Sequence, residues 1–298
     1  SATLIAKRML EGCGSLAAAL AVPRLLRAVT APKDLQPVLA VFAAHLPFGS
    51  VVMMLAAPHA MSFGWQGLWL INGAIVLGYA LVVARLPIDE APPAHAVQQS
   101  VLSNIGAVLG TPGPVLLALA FGTYTFQYLA LSGLLPALLV DRMGLSIAAA
   151  GTVSAIAVAA NAVGNMSAGA LLRLGVPVWS IMVGAFAFVG VAAVGIFSDQ
   201  APVALVAALA AASLGFTGLI PGSIYAAAPR LAPTSAMLAI ALGLINQVTN
   251  LGNLAGPAAM AFTVEALGWG GAPLLFAGVA VTGMTIALLL RSVLRRAA

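Results

Sequence analysis

Charged side chains are too scarce in this chain to coat a surface that faces water. Lys and Arg number 12 and Asp and Glu 7 among 298 residues. That is 6% charged, where a soluble domain carries roughly 25%. Hydrophobic residues make up 62%, so the exterior must face lipid. Backbone groups in hydrocarbon have to be satisfied internally, which leaves helices or a closed barrel. The apolar stretches are too long for strands and lack strict alternation, which argues against a barrel. The expected fold class is therefore all-α and polytopic. The net charge of +5 reflects a few placed bases and does not point to nucleic acid. A single cysteine, Cys13, excludes an internal disulfide and a cysteine metal cluster.

Nine apolar stretches are long enough to span a bilayer. They run over residues 2–22, 35–57, 63–84, 114–140, 147–172, 176–197, 201–225, 236–261 and 271–290. Basic residues then set the orientation. Arg24, Arg27, Lys33, Arg85, Arg173, Arg230, Arg291, Arg295 and Arg296 fall on one side, and only Arg142 falls between spans on the other. The first side is expected to be cytoplasmic, with the C-terminus there. Trp65, Trp69 and Trp269 sit near outer span ends, where amphipathic rings are favoured. Residues 86–111 form the one long polar stretch, with Asp89, Glu90, Pro92, Pro93 and His95. They read as a cytoplasmic linker, with a short surface helix near 97–108.

Four sequence fragments recur in order at offsets of about 200–206 residues. Pro23-Arg24-Leu25 returns as Pro229-Arg230-Leu231, and Ala31-Pro32 as Ala232-Pro233. Gly64-Trp65 returns as Gly268-Trp269, and Gly12 matches Gly218. Spans one to three therefore pair with spans seven to nine, which follow three others in one six-helix half. By that logic three further helices, roughly 90 residues by the spacing of Pro114 and Ala201, are expected ahead of residue 1. Two parallel six-helix halves joined by a cytoplasmic linker is a transporter pattern.

At this point the chain resembles the major facilitator superfamily, over helices four to twelve. Arg8 followed by Gly12-Cys13-Gly14 resembles the family's fourth-helix signature. Phe63-Gly64-Trp65 through Asn72 resembles the start of its sixth helix. Gly169 to Gly175 is a worn version of the loop signature between helices eight and nine, with Arg173 where the family has an Asp. Residues 242–257 look like the eleventh helix of permeases near the cyanate-type branch. The resemblance implies residues 1–86 as the three-helix remainder of an N-terminal bundle, 87–112 as the linker and 113–298 as a six-helix C-terminal bundle. It implies a secondary transporter in which the two halves rock around a central cavity. The expected partners are a small-molecule substrate, the lipid bilayer and a coupling proton. No cofactor, metal or nucleic acid is expected.

Arg8 and Glu11 lie one helical turn apart inside a span, where charge is costly and marks function by default. Arg8 is a candidate for attracting an anionic substrate and Glu11 for carrying a proton. The competing reading is a mutually neutralised packing pair. His45 is the histidine clearly within a span, and either relays a proton or packs by hydrogen bonding. Asn246, Asn250 and Asn253 share one helix face, flanked by Gln247. That face is expected to turn to the bundle interior, either lining the substrate path or bonding between helices. Asn161 and Asn165, with Ser154, form a similar stripe. Tyr124, Gln127 and Tyr128 cluster in mid-span, where two aromatics around an amide can shape a pocket. Pro221 and Gly222 before Tyr225 can kink their helix as a gate.

No G-x-x-x-x-G-K-[ST] loop, H-E-x-x-H helix or Ser-His-Asp constellation is present. Neither ATP hydrolysis nor an intramembrane enzyme is indicated, so an ion or substrate gradient must supply the energy. The substrate is expected to be a small organic anion or a polar or amphipathic molecule. The expected location is a bacterial inner membrane. A ten-helix drug/metabolite carrier, with two five-helix repeats, and a non-transporting scaffold or receptor are the alternatives.

Overall fold

A computed structural model describes residues 45–60, 64–85, 101–234 and 237–296, with scattered positions between 10 and 38. Among the described residues the regular structure is helical throughout. The helices are α1 (His45–Ala60), α2 (Gly64–Ala84), α3 (Val101–Leu109), α4 (Pro112–Asp141), α5 (Ile147–Arg173), α6 (Val178–Ile196), α7 (Val203–Leu231), α8 (Leu238–Leu267) and α9 (Ala272–Arg296). Seven of the described helices, α2 and α4–α9, are long and apolar enough to cross a membrane. The expected span 2–22 and the first part of 35–57 lie largely outside the described residues.

The chain divides into two compact units, residues 1–45 with 63–97, and residues 46–62 with 98–298. The described part of the first is mainly α2, whose Leu70, Ile75, Val76 and Leu77 are exposed apolar side chains suited to lipid. The second holds a bundle of six long helices. The short α1 adds Pro47 as a buried residue, with Val51 and Met54 against the bundle's core. The amphipathic α3 in the linker falls where a surface helix is expected, anchored by buried Val108.

Local sequence sets the helix ends. Pro177 and Pro202 hold extended backbone just before α6 and α7. Pro112 opens α4, where a missing N–H costs nothing. The Ser146 side chain accepts from the Ala149 N–H at 3.2 Å and caps α5. At the other end of α5, Gly175 adopts φ 83°. Its N–H reaches the Leu172 carbonyl and the Val176 N–H the Leu171 carbonyl, both at 3.1 Å. This is a Schellman close that needs a residue tolerant of left-handed backbone. Thus the worn loop signature keeps its glycine, while Arg173 is exposed. Gly268, with φ 66° and ψ −177°, ends α8 in a conformation open essentially to glycine alone. Its repeat partner Gly64 has φ 72°.

Three helices outrun the expected spans, α7, α8 and α9, the last running past 290 to Arg296. The α7 helix passes 225 and continues through Pro221 and Pro229 to Leu231. Pro229 lies in its last turn, where its missing N–H leaves the Tyr225 carbonyl without its helical donor, and the helix ends two residues on. The α8 helix runs on past 261 to Leu267.

Packing in the bundle obeys an exchange. The α4 helix packs chiefly on α8, and α5 on α7. The α6 and α9 helices pair with each other, α6 also packs on α7, and α9 on α4. Swapping the triplets α4–α6 and α7–α9 maps these pairings onto one another, the pattern of an internal three-plus-three repeat. Both main crossings bring backbones together through glycine. A Cβ at Gly252 or Gly256 would collide with the carbonyl oxygens of Gly122 and Phe126, and one at Gly218 or Gly164 with those of Asn161 and Gly215. Small residues at such contacts allow the van der Waals approach that drives helix association in lipid.

Charge separates along this bundle. The Arg142 guanidinium donates to the Phe197 carbonyl at 3.0 Å and pairs with Asp199. Phe197 stacks on Trp269 at 6.4 Å. These contacts gather the ends of α4, α6 and α8, with Asp141 and Glu265, at one end. At the other end Arg291 lies over the Trp179 ring, and Gly113 abuts Leu231. Arg173, Arg230, Arg295 and Arg296 fall at that same end by helix direction.

Candidate functional site

A polar node sits at mid-depth in the bundle. Tyr124, near the middle of α4, donates its hydroxyl to Asn161 Oδ1 at 3.1 Å. Asn161, near the middle of α5, donates through Nδ2 to the Leu214 carbonyl of α7 at 2.8 Å. All of Asn161's neighbours hide it from solvent, since it is 1% exposed. A fourth helix is tied in beside them, where Thr125 Oγ1 donates to the Thr249 carbonyl of α8 at 3.0 Å. One layer of side-chain bonds therefore links α4 to α5 and α8, and α5 to α7.

Aromatic rings line one face of α4 around this node. Phe121, Tyr124 and Tyr128 follow at helical spacing. Tyr124 stacks on Tyr128 with centroids 5.7 Å apart. Phe121 meets Tyr124 at 5.7 Å and meets the Tyr225 ring edge-on at 5.6 Å. Tyr225 thus belongs to the aromatic file, although its place near the end of α7 hides this in the sequence.

Gln127 is the group that packing does not explain. It is 0% exposed, and among the described residues neither its amide nitrogen nor its amide oxygen has a hydrogen-bond partner. The Tyr128 hydroxyl is also buried and unpaired. Ser154 and Ser213 add two more buried, unpaired hydroxyls on α5 and α7. Buried polar groups are nearly always satisfied, so these open donors and acceptors stand out within the bundle.

The other expected residues are placed as follows. Asn165 is half-buried, with its carbonyl and side-chain oxygens against Gly222 of α7. Asn246 and Asn253 are half-buried, and Gln247 and Asn250 are exposed. The face that α8 buries most deeply carries Ala241, Ile245, Gly252, Gly256 and Met260, and Asn253 at its edge has its Oδ1 buried without a hydrogen-bond partner among the described residues. Glu11 is exposed on a short helical segment. His45 begins α1, and its side chain lies outside the described residues, as does Arg8. Among the described residues no group of His, Cys, Asp and Glu is arranged to hold a metal.

Thr125, Ser213 and Phe121 were not singled out by the sequence. A lone hydroxyl in a helix normally bonds back to its own turn, as Thr123, Thr152 and Thr285 do here, so nothing in the sequence separates Thr125 from them. The four-residue alignment of Phe121 with Thr125 and of Tyr124 with Tyr128 is the signal that was available.

The sequence matches the Major Facilitator Superfamily model over residues 1–240. Comparison with curated proteins gives no match. Among solved structures, the fold is similar to a bacterial homologue of the human lysosomal transporter Spinster, in an inward-facing and unoccupied conformation. That likeness has a TM-score of 0.58 at 13% identity and covers 93% of this chain and 74% of the other. It is a likeness of fold. The family match spans well over half of the chain, which therefore belongs to the major facilitator superfamily of secondary transporters.

Proposed function

We propose that this protein moves a small solute across the membrane by alternating access, with Tyr124, Gln127, Tyr128 and Asn161 forming part of the substrate path. The observation that carries the reading is Gln127, buried at mid-depth with donor and acceptor both open. An unsatisfied amide in a lipid-embedded bundle is costly, and a solute that pairs with it supplies the missing bonds. The neighbouring tyrosine rings offer an apolar wall. A small organic anion or a polar or amphipathic molecule suits this combination.

The exposed amides of α8 support the same reading. Gln247 and Asn250 are poorly suited to acyl chains, and a water-filled path beside α8 gives them partners. Asn165, Asn246 and Asn253 extend that lining. Arg8 is assigned to attracting an anion, and Glu11 and His45 to proton coupling. The two halves are residues 1–86 and 113–298, joined by 87–112. The arginine-rich end of the bundle, with the C-terminus, faces the cytoplasm of a bacterial inner membrane.

Uptake into proteoliposomes tests this reading, using protein expressed from its complete reading frame. A panel of small carboxylates, neutral amides and amphipathic solutes is offered with an imposed proton gradient. At least one solute is expected to accumulate, with loss of accumulation when a protonophore collapses the gradient. Arg8→Ala and Asn250→Ala are expected to reduce uptake at normal expression. Uptake indifferent to the gradient would remove proton coupling, and unaffected variants would remove those residues.

A further inference from the structure

The end of the bundle opposite Arg142 holds a basic cluster outside the proposed substrate path. Within residues 98–298 the acids are Asp141, Asp199 and Glu265, all at the Arg142 end. Arg173, Arg230, Arg291, Arg295 and Arg296 stand at the other end with no acid from this part of the chain beside them. One of the five is fixed in place. The Arg291 guanidinium lies over the Trp179 ring, 4.5 Å from its centroid. It makes no ion pair among the described residues, and its Nε is buried without a partner.

That arrangement has a specific chemistry. Stacking on an indole holds a guanidinium flat while leaving its N–H fork open at the edge. Such a fork matches two oxygens of a phosphate. Arg295 is four residues on, so it shares the helix face of Arg291 and brings a second positive charge to the same ligand. The surroundings indicate where the phosphate comes from. Trp179 opens α6 and Arg291 lies near the end of α9, so both sit at a membrane–water boundary. Directly toward the membrane, α9 exposes Leu288 and Leu289, and further along α6 and α9 expose Val191, Val194, Leu274 and Val281. A polar fork at the boundary, continuous with an exposed apolar wall, is shaped for a molecule with an anionic head and acyl chains.

We propose that the Trp179–Arg291 pair, with Arg295, binds the phosphodiester head of an anionic phospholipid in the groove between α6 and α9. Arg291 forms the bidentate contact, Trp179 orients it, and Arg295 adds charge.

Lipid retention by the purified full-length protein tests this, read by native mass spectrometry after exchange into mixed micelles of phosphatidylglycerol and phosphatidylcholine. The wild type is expected to retain phosphatidylglycerol at least fivefold over phosphatidylcholine. Arg291→Gln is expected to lose most of that preference, and Trp179→Leu part of it. Arg230→Gln, which removes a charge at the same end outside the groove, is expected to keep it. Soluble glycerophosphate is expected not to displace the lipid. If Arg291→Gln is not monodisperse, Arg291→Lys decides, since it keeps the charge and loses the planar fork; its preference should fall. Equal retention of both lipids, an unchanged Arg291 variant, equal losses in the Arg291 and Arg230 variants, or displacement by glycerophosphate would each overturn the proposal.

Discussion

The Tyr124 hydroxyl donates to Asn161 Oδ1 at 3.1 Å, and through Asn161 it is tied to the Leu214 carbonyl at 2.8 Å. Two bonds thus hold three helices together at mid-depth. Removing the hydroxyl with Tyr124→Phe leaves the Asn161 oxygen unpaired. Interhelical bonds of this kind average about 0.6 kcal/mol, so the expected stability loss is on the order of 1 kcal/mol, with a larger loss for Asn161→Leu. Reversible unfolding in detergent micelles checks the order of the two.

The α4–α8 crossing is expected to tolerate no side chain. A Cβ at Gly252 would meet the Gly122 carbonyl and the Thr125 hydroxyl, whereas one at Gly243 on the same helix meets nothing within 4 Å. Gly252→Val should abolish recovery of monodisperse protein, and Gly243→Ala should leave it unchanged. Size-exclusion profiles of the two variants, at matched expression, make the comparison.

The pair at the other end of the bundle is expected to matter unequally. Asp199 is 85% exposed, and Arg142 is 15% exposed and also bonds the Phe197 carbonyl. Exposed ion pairs contribute roughly 0–1 kcal/mol. Asp199→Asn should therefore be nearly silent, while Arg142→Gln should destabilise through the lost carbonyl bond. A double-mutant cycle should return a coupling below about 1 kcal/mol between the two side chains.

Orientation is testable with the single native cysteine removed. In a Cys13→Ser background, a cysteine at Ser198 should react with an impermeant maleimide added to intact cells. A cysteine at Ala298 should react only after permeabilisation. The reverse pattern would invert the assignment of sides.

Seven of the nine expected spans were legible, because their lengths follow from hydropathy; the second, expected over 35–57, is described only as the 16-residue α1. The linker helix was legible for the same reason. The facing of each helix was not. In a lipid-embedded bundle the buried and exposed sides are both apolar, as Val158 and Val163 on α5 show, so no periodicity separates them. On α8 the amides looked like the inward face, yet the most deeply buried face carries Gly252 and Gly256. At the site, Tyr124, Gln127 and Asn161 could be named from mid-span polarity. Their grouping across α4 and α5 could not, since it depends on which faces meet.

The central claim is that Gln127 is held open for a solute. Gln127→Leu separates this from packing, because replacing an unsatisfied buried amide by an apolar side chain of similar size is neutral or stabilising for a fold. Solute uptake and thermal stability of this variant, measured on the same proteoliposome preparation, are the direct test. The account predicts unchanged or raised stability together with at least a tenfold loss of uptake. Full uptake by a stable Gln127→Leu protein would contradict it.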